Sequence, residues 1–537
     1  MSPFSRNVRT RLLALALAAA LPAQQVLAQV RLPALGESAS EDFSVGTEKR
    51  MGEQIMREIR RDPEYYDDPV LLEYLQSLWQ PLVAAARQRG DIEGDTDGQF
   101  AWEPFLVRDR TFNAFALPGG YVGVHLGAIA LAASSDELAS VLAHELSHVT
   151  QRHIARSVVN SQRASMVGLA ALIVGILAAS RSSNADVANA AIMGSQAAAI
   201  QGQLNFSRDM EREADRMGYG VLGSAGFSTA GMASMFDKLD TANRLNDSGA
   251  FPYLRSHPLT VERMSEARSR ALFGGSGAAG VAPPLRHAMM QMRAKVLMDT
   301  DPQTLRRLQE QAAGIPGASL RDRLAAMYAG ALAASLQRDH AAAERIAAGA
   351  LTLAEGATPR DPQAERTLQL LQAQLRMNRG DATAAMRALD AITLEAHGRA
   401  PLLLRAQAAL DVQRQAGNAG GALRESTEAL QTWVADHPHD AGAWGMLGST
   451  AEAIGLRLRA LRASAEARAA IGDLNGAIDR LRAGQSAAAR GTVGQDFIEA
   501  SVIDARLRDL QSQRRQLAID ARGGRASPGE RQEPPPQ

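Results

Sequence analysis

The sequence predicts a mainly α protein: an α+β domain with a small sheet, followed by an all-α domain of stacked helical repeats. Three observations carry this reading. Residues 98–129, "GQFAWEPFLVRDRTFNAFALPGGYVGVHLGAI", alternate in polarity and hold most of the local aromatics, so they read as two or three strands, the last being "YVGVHLG". The segments around them place apolar residues at helical spacing. Beyond residue 285 a Gly-Asp/Asn turn recurs between alanine-rich amphipathic stretches, and aromatics make up only 4% of the chain, which suits closely packed helices. A length of 537 residues allows two or three such domains.

The elements follow in order. Arg6, Arg9 and Arg11 precede the apolar run "LLALALAAALP", and "VLAQ" offers a small-x-small site ending at Ala28. Residues 1–28 therefore read as a signal peptide cleaved before Gln29. Its removal leaves 55 basic against 58 acidic groups, a balance that gives no polyanion-binding face and argues against nucleic acid as a partner. The absence of cysteine rules out a disulfide or a lipid-modified N-terminal cysteine, so the expectation is a soluble exported chain.

Residues 41–87 show the spacing of two amphipathic helices. After the strands, Ser134 and Glu137 form an S-x-x-E capping box opening a helix. Residues 164–201 read as an apolar hairpin covering a cleft or touching a membrane. The uninterrupted apolar run Met166–Ala179 is too short to cross a bilayer, though long enough for peripheral contact. "GGSGAAGVAPP" at 274–284 marks a domain boundary. From 285 to 515, Gly380, Gly417 and Gly472 punctuate the turns, "LQRDHAAAERI" is a weaker copy, and "AWGMLG" supplies a W-x-x-L-G. The pattern resembles tetratricopeptide repeats with uneven spacing, whose helix pairs stack into a curved solenoid with a concave binding surface. Residues 516–537 read as a disordered tail.

The chemistry sits in "VLAHELSHVTQRH". On a helix, positions i and i+4 share a face, so His144 and His148 can offer imidazole nitrogens to one Zn²⁺. Glu145 lies beside that metal, placed to take a proton from the attacking water and pass it to the leaving amine. A third ligand is still needed, and "NFSRDMEREADRMG" offers it. Glu211 and Asp215 are also i and i+4: Glu211 can ligate while Asp215 accepts a hydrogen bond from the far nitrogen of a ligand histidine. Glu213 points to another face. His125 and His153 read as strand or helix-surface residues.

"HELSH", "EREAD" and "NAFALPGGYVGVHLG", in that order, resemble the M48 family of zinc metallopeptidases, a gluzincin group, over roughly residues 40–270. The resemblance implies a metalloprotease domain over 29–273, one Zn²⁺ per subunit, and Glu211 as third ligand from the E-x-x-A-D motif. It also implies that the strand before the HExxH helix borders the cleft, making Tyr121, Val122, Gly123 and Val124 candidates for strand addition to an extended substrate. "LRSHPLTVERM" places His257 before Pro258 and Arg263 after it, at the spacing of exported members. His257 would donate to the oxyanion or gate the metal; Arg263 would contact substrate or serve the structure. A leader, an M48 domain and repeats together resemble exported family members of the Gram-negative periplasm. That resemblance implies a zinc endopeptidase and chaperone-like factor in quality control of outer-membrane β-barrel proteins. Its partners would be stalled or unfolded barrels and, through the repeats, the assembly machinery. The alternative is a repeat-based scaffold with a largely latent protease site; the intact Glu145 speaks for hydrolysis.

Overall fold

The computed structural model describes residues 43–160, 208–245, 252–273, 285–314, 317–392, 398–417, 421–490 and 496–523. The leader, the apolar hairpin at 164–201 and the linker at 274–284 lie outside the described residues. Helix α1 (Val45–Ile59) starts where the Ser44 hydroxyl accepts the Thr47 N–H. Helix α2 (Pro69–Arg89) starts where Asp68 accepts the Leu71 N–H, with Pro69 in the first turn, where a missing N–H costs no hydrogen bond. It ends at Gly90, left-handed at φ 77°.

Between and after these helices come β1 (Tyr65–Tyr66), a short helix α3 (Gly94–Gln99), β2 (Glu103–Val107), β3 (Ala114–Leu117) and β4 (Tyr121–His125). The sheet order is β1-β2-β4-β3, with β2 and β4 parallel and the outer pairs antiparallel. This corrects one expectation. Tyr121, Val122, Gly123 and Val124 are not an edge strand: β4 is paired to β2 on one side and to β3 on the other, so its backbone groups are already used. The edge beside the HExxH helix is β3. Both faces of the sheet are covered, and all five residues of β4 are buried. Met51, Ile55 and Met56 of α1 pack on one face against Phe105 and Tyr121. On the other, Leu75 and Leu82 of α2 meet Val122, Val124, Leu142 and Leu146.

Helix α4 (Leu126–Leu131) leads into α5 (Ser135–Thr150), the HExxH helix. Its capping box forms nearly as read: Ser134 Oγ accepts the Glu137 N–H, and Glu137 Oε2 accepts the N–H of Ala133 rather than of Ser134. After the turn comes α6 (His153–Asn160); then α7 (Arg208–Ser224), α8 (Ala230–Leu245), α9 (Pro252–Ser256) and α10 (Val261–Phe273) complete the first domain. Helices α5 and α7 cross at close range because Gly218 has no side chain: a Cβ there would sit 3.1 Å from the Ala143 carbonyl.

Twelve helices follow among the described residues: α11 (Leu285–Met298), α12 (Pro302–Gln311), α13 (Leu320–Leu336), α14 (His340–Glu355), α15 (Pro362–Asn378), α16 (Ala382–Asp390), α17 (Arg399–Ala416), α18 (Ala422–Asp436), α19 (Ala441–Ala453), α20 (Arg457–Ala470), α21 (Leu474–Ala489) and α22 (Phe497–Gly523). The recurring turn has a plain mechanism. Gly380 and Gly472 close one helix at φ 86° and 78°, and the next residue, Asp381 or Asp473, caps the following helix. In the weaker copy, Arg338 takes the left-handed position at φ 64° and Asp339 is the cap. The tail needs correction: α22 continues through 516–523, with Leu517 packed on the Leu507–Leu510 cluster, so helix extends past the expected end of the repeats.

The helical half is fastened to the first domain rather than tethered to it. One apolar core runs from α2 and α5 into Met289, Leu324, Leu332 and Leu371. Ion pairs cross the same junction: Arg293 with Asp68, both buried, Arg399 with Asp67, and Arg366 with Glu73, both partly exposed. Among the described residues no helix is long and apolar enough to cross a membrane.

Candidate active site

The centre is assembled by α5, α7 and the residue after α9. Helical spacing brings His144 Nε2 within 3.0 Å of His148 Nε2. The close α5–α7 crossing then delivers Glu211, whose carboxylate oxygens lie 3.5 Å from His144 Nε2 and 3.4 Å from His148 Nε2. His257 follows Ser256 at the end of α9, its N–H bonded to the Tyr253 carbonyl at 2.8 Å. Its Nδ1 is 2.9 Å from Glu211 Oε1 and 3.4 Å from His144 Nε2. All four side chains are buried. Four nitrogens and oxygens converging on one point are what a tetrahedral zinc site needs. With zinc–nitrogen bonds of about 2.0–2.1 Å, neighbouring ligand atoms stand about 3.3 Å apart, and the separations here, 2.9 to 3.5 Å, bracket that value.

The electrostatics favour a cation. Burial works against charge on the Glu211 carboxyl, yet His257, His144 and His148 hold it well below the usual carboxylate range. Burial, with His144 beside it, pushes the His148 imidazole well below its ordinary value, so it stays a neutral ligand. Glu145 is completely buried, and desolvation raises its carboxyl. Its Oε2 accepts the Ala116 N–H of β3 at 3.0 Å, and its Oε1 stands 3.7 Å from His257 Nε2 with no hydrogen bond among the described residues.

Asp215 Oδ1 lies 2.9 Å from His144 Nδ1. Arg263 does not face a substrate. It is buried beneath the centre, bidentate to Asp215 at 2.6 and 2.8 Å and 2.8 Å from Glu211 Oε2. A guanidinium so enclosed orients carboxylates and is out of a client's reach. His125 is a strand residue as read, buried because β4 is central; His153 differs from the helix-surface reading and is buried where α6 folds back under α5. His153 Nδ1 touches His148 Nδ1 at 2.8 Å. Tyr253, which drew no notice in the sequence, packs its ring 4.6 Å from that of His257. The signals available were its i, i+4 spacing from His257 and, for His153, its place five residues after His148.

Comparison with known proteins agrees with this geometry. The family model for peptidase family M48 matches residues 72–271. The β-barrel assembly-enhancing protease of Escherichia coli is 30% identical over 489 residues, covering 89% of this chain and 92% of that protein. A Vibrio cholerae relative that carries the same name provisionally is 39% identical over 260 residues, 48% of this chain and 51% of its own length. The mitochondrial metalloendopeptidase OMA1 of Schizosaccharomyces pombe is 29% identical over 229 residues, 42% of this chain and 60% of that protein. Ligand set, fold and near full-length similarity converge: the chain is a zinc metalloendopeptidase and belongs to peptidase family M48.

Proposed function

We propose that the chain is a periplasmic endopeptidase and chaperone-like factor that promotes assembly of outer-membrane β-barrel proteins and hydrolyses those that stall. Residues 1–28 are its cleaved leader, 29–273 its protease domain and 285 onward its repeat domain. The observation that carries the reading is the convergence of His144, His148 and Glu211 beside a buried Glu145 that already holds the edge strand. Relatives named for β-barrel assembly supply the client class. A stalled barrel exposes unpaired strand edges, and an extended edge is what a strand-pairing cleft accepts.

In this reading His144, His148 and Glu211 hold the zinc, with Asp215 fixing the His144 tautomer. Zinc, when bound, supplies Lewis-acid polarisation of the scissile carbonyl and of the attacking water. The client strand lies along β3, the sheet edge beside α5, which pairs with β4 on its other side. Glu145 takes the proton of the water as its oxygen bonds to the carbonyl carbon, then gives it to the amide nitrogen as the C–N bond breaks. Its raised proton affinity suits both halves of that transfer. His257 occupies the fourth corner of the ligand cluster, which favours a second state in which the protease is latent and the repeats act alone. The test is cleavage of an unfolded outer-membrane barrel protein by the chain beginning at Gln29. Wild type should cut, and both a chelator and Glu145→Gln should lower the rate by about 10²–10⁴-fold. Cutting that survives both would refute the assignment.

A further inference from the structure

The two histidine ligands are not supported in the same way. His144 Nδ1 meets the Asp215 carboxylate directly, at 2.9 Å. His148 Nδ1 meets a second imidazole, His153 Nδ1, at 2.8 Å, and His153 Nε2 lies 3.1 Å from Glu213 Oε2. Arg156 Nη1 closes the series on the same carboxylate oxygen at 2.8 Å. Only one proton arrangement satisfies every link when His148 Nε2 faces the metal. His148 Nδ1–H donates to His153 Nδ1, and His153 Nε2–H donates to Glu213. His153 and Arg156 meet on the same Glu213 oxygen, at 3.1 and 2.8 Å, so this carboxylate is the terminal acceptor of the series.

The backbone is bent to make this contact. Arg152 joins α5 to α6 with φ 50°, a left-handed conformation that is strained for a non-glycine residue. It is held there by buried partners: Arg152 Nε to Glu48 Oε2 at 3.0 Å and Nη2 to the Phe43 carbonyl at 2.6 Å. The reversal folds α6 back beneath α5 and sets His153 under His148, with no exposed surface. Asp215 and Arg263 lie on the His144 side of the centre, and Glu211 Oε1 approaches His148 at Nε2, 3.4 Å away.

We propose that His153 is a positioning residue for the metal centre: with Glu213 and Arg156 it fixes the tautomer and ring angle of His148, so that Nε2 is presented to zinc. This rests on the zinc reading of His148 and adds to it an outer support that the ligand motifs do not contain. The test measures zinc affinity directly, by competition of the mature chain with a chromophoric chelator. It is paired with the visible ligand-field bands of the cobalt(II)-loaded chain and the melting temperature of the metal-free chain. His153→Phe fills the volume without hydrogen bonding. His153→Gln offers an oxygen towards His148 and an N–H towards Glu213. Glu213→Ala removes the end of the chain and leaves the α5–α6 packing in place.

The expected result is a 10–100-fold rise in zinc Kd for His153→Phe and Glu213→Ala, with altered cobalt bands. His153→Gln should stay within about threefold of wild type, since it keeps both hydrogen bonds. Zinc binding by both His153→Phe and Glu213→Ala within twofold of wild type would overturn the proposal. So would a His153→Gln variant as weak as His153→Phe while the metal-free chains melt alike. A wild-type chain that took no zinc would sink the metal reading, and this inference with it; wild-type binding separates the two failures.

Discussion

Replacing Arg293 with methionine should loosen the whole molecule, although Arg293 is nowhere near the chemistry. The guanidinium is 1% exposed and makes four hydrogen bonds: to Asp68 Oδ1 at 2.9 Å, Asp68 Oδ2 at 2.6 Å, the Tyr328 hydroxyl at 3.0 Å and Gln374 Oε1 at 3.0 Å. Asp68 belongs to the start of α2, while Arg293, Tyr328 and Gln374 belong to α11, α13 and α15, so the cluster stitches protease to repeats. Methionine replaces the stem and leaves little cavity. What is lost is the cation, and the Asp68 carboxylate stays buried without it. Removing one member of a buried pair costs about 3–5 kcal/mol. The α2 cap survives, because Asp68 still accepts the Leu71 N–H at 2.8 Å. Asp68→Asn also keeps a capping side chain but strands the guanidinium, at a similar cost. The double variant buries neither charge, so the two costs should fail to add by about 2–3 kcal/mol. Urea unfolding of the mature chain, followed by circular dichroism and by tryptophan fluorescence, reads this; two probes are needed because packed domains can unfold separately. A loss under about 1 kcal/mol for Arg293→Met, or strict additivity in the double variant, would refute the argument.

Three other perturbations follow from the same structure. His257→Ala should speed cleavage of an unfolded barrel substrate if the imidazole closes the fourth corner of the centre, and should slow it if His257 stabilises the oxyanion; steady-state kinetics with zinc content measured in parallel decide between them. Gly218→Val should force α5 and α7 apart at Ala143, costing about 1–3 kcal/mol in denaturant unfolding. By moving Glu211 it should also weaken zinc binding by about tenfold in chelator competition. For Asp440, burial opposes ionisation, but the Arg399 hydrogen bonds outweigh it and hold the carboxyl below its ordinary 3.8. A depressed carboxyl contributes stability that is present above its unfolded pKa and lost as pH falls below it. Asp440→Asn should therefore cost about 1.5–3 kcal/mol at pH 7, and its deficit against wild type should shrink below about pH 4 in urea titrations.

Much of this was legible in the sequence because the signals were local. The i, i+4 spacing of His144 and His148 and of Glu211 and Asp215 is fixed by helix geometry, and the Gly-Asp turns report their own backbone. What failed depended on partners distant in the chain. Strand order is set by which segments meet, so the central place of Tyr121–Val124 was invisible in a run of alternating residues. Arg263 reads as either a substrate or a structural contact until Asp215 and Glu211 are seen to enclose it. His153 reads as a helix-surface residue because no sequence rule announces a left-handed Arg152 that turns α6 beneath its neighbour.

The acidic run of α7 shows how one helix organises a whole centre. Glu211, Glu213 and Asp215 alternate along five residues, and their three carboxylates reach four imidazoles. Glu211 faces His144, His148 and His257 at the metal position. Asp215, locked by Arg263, meets the far side of His144. Glu213, on the other side of the helix, meets His153 and through it the far side of His148. A displacement of α7 would therefore disturb the third ligand and the outer support of both histidines together. Any movement that tilts this helix against α5 acts on affinity for the metal and on ligand geometry at once. The close crossing at Gly218, with the Ala143 backbone 3.1 Å from where a Cβ would stand, leaves little room for such a tilt. The segment that ends in His257 approaches the centre from outside the α5–α7 pair, with its Nδ1 2.9 Å from Glu211 Oε1.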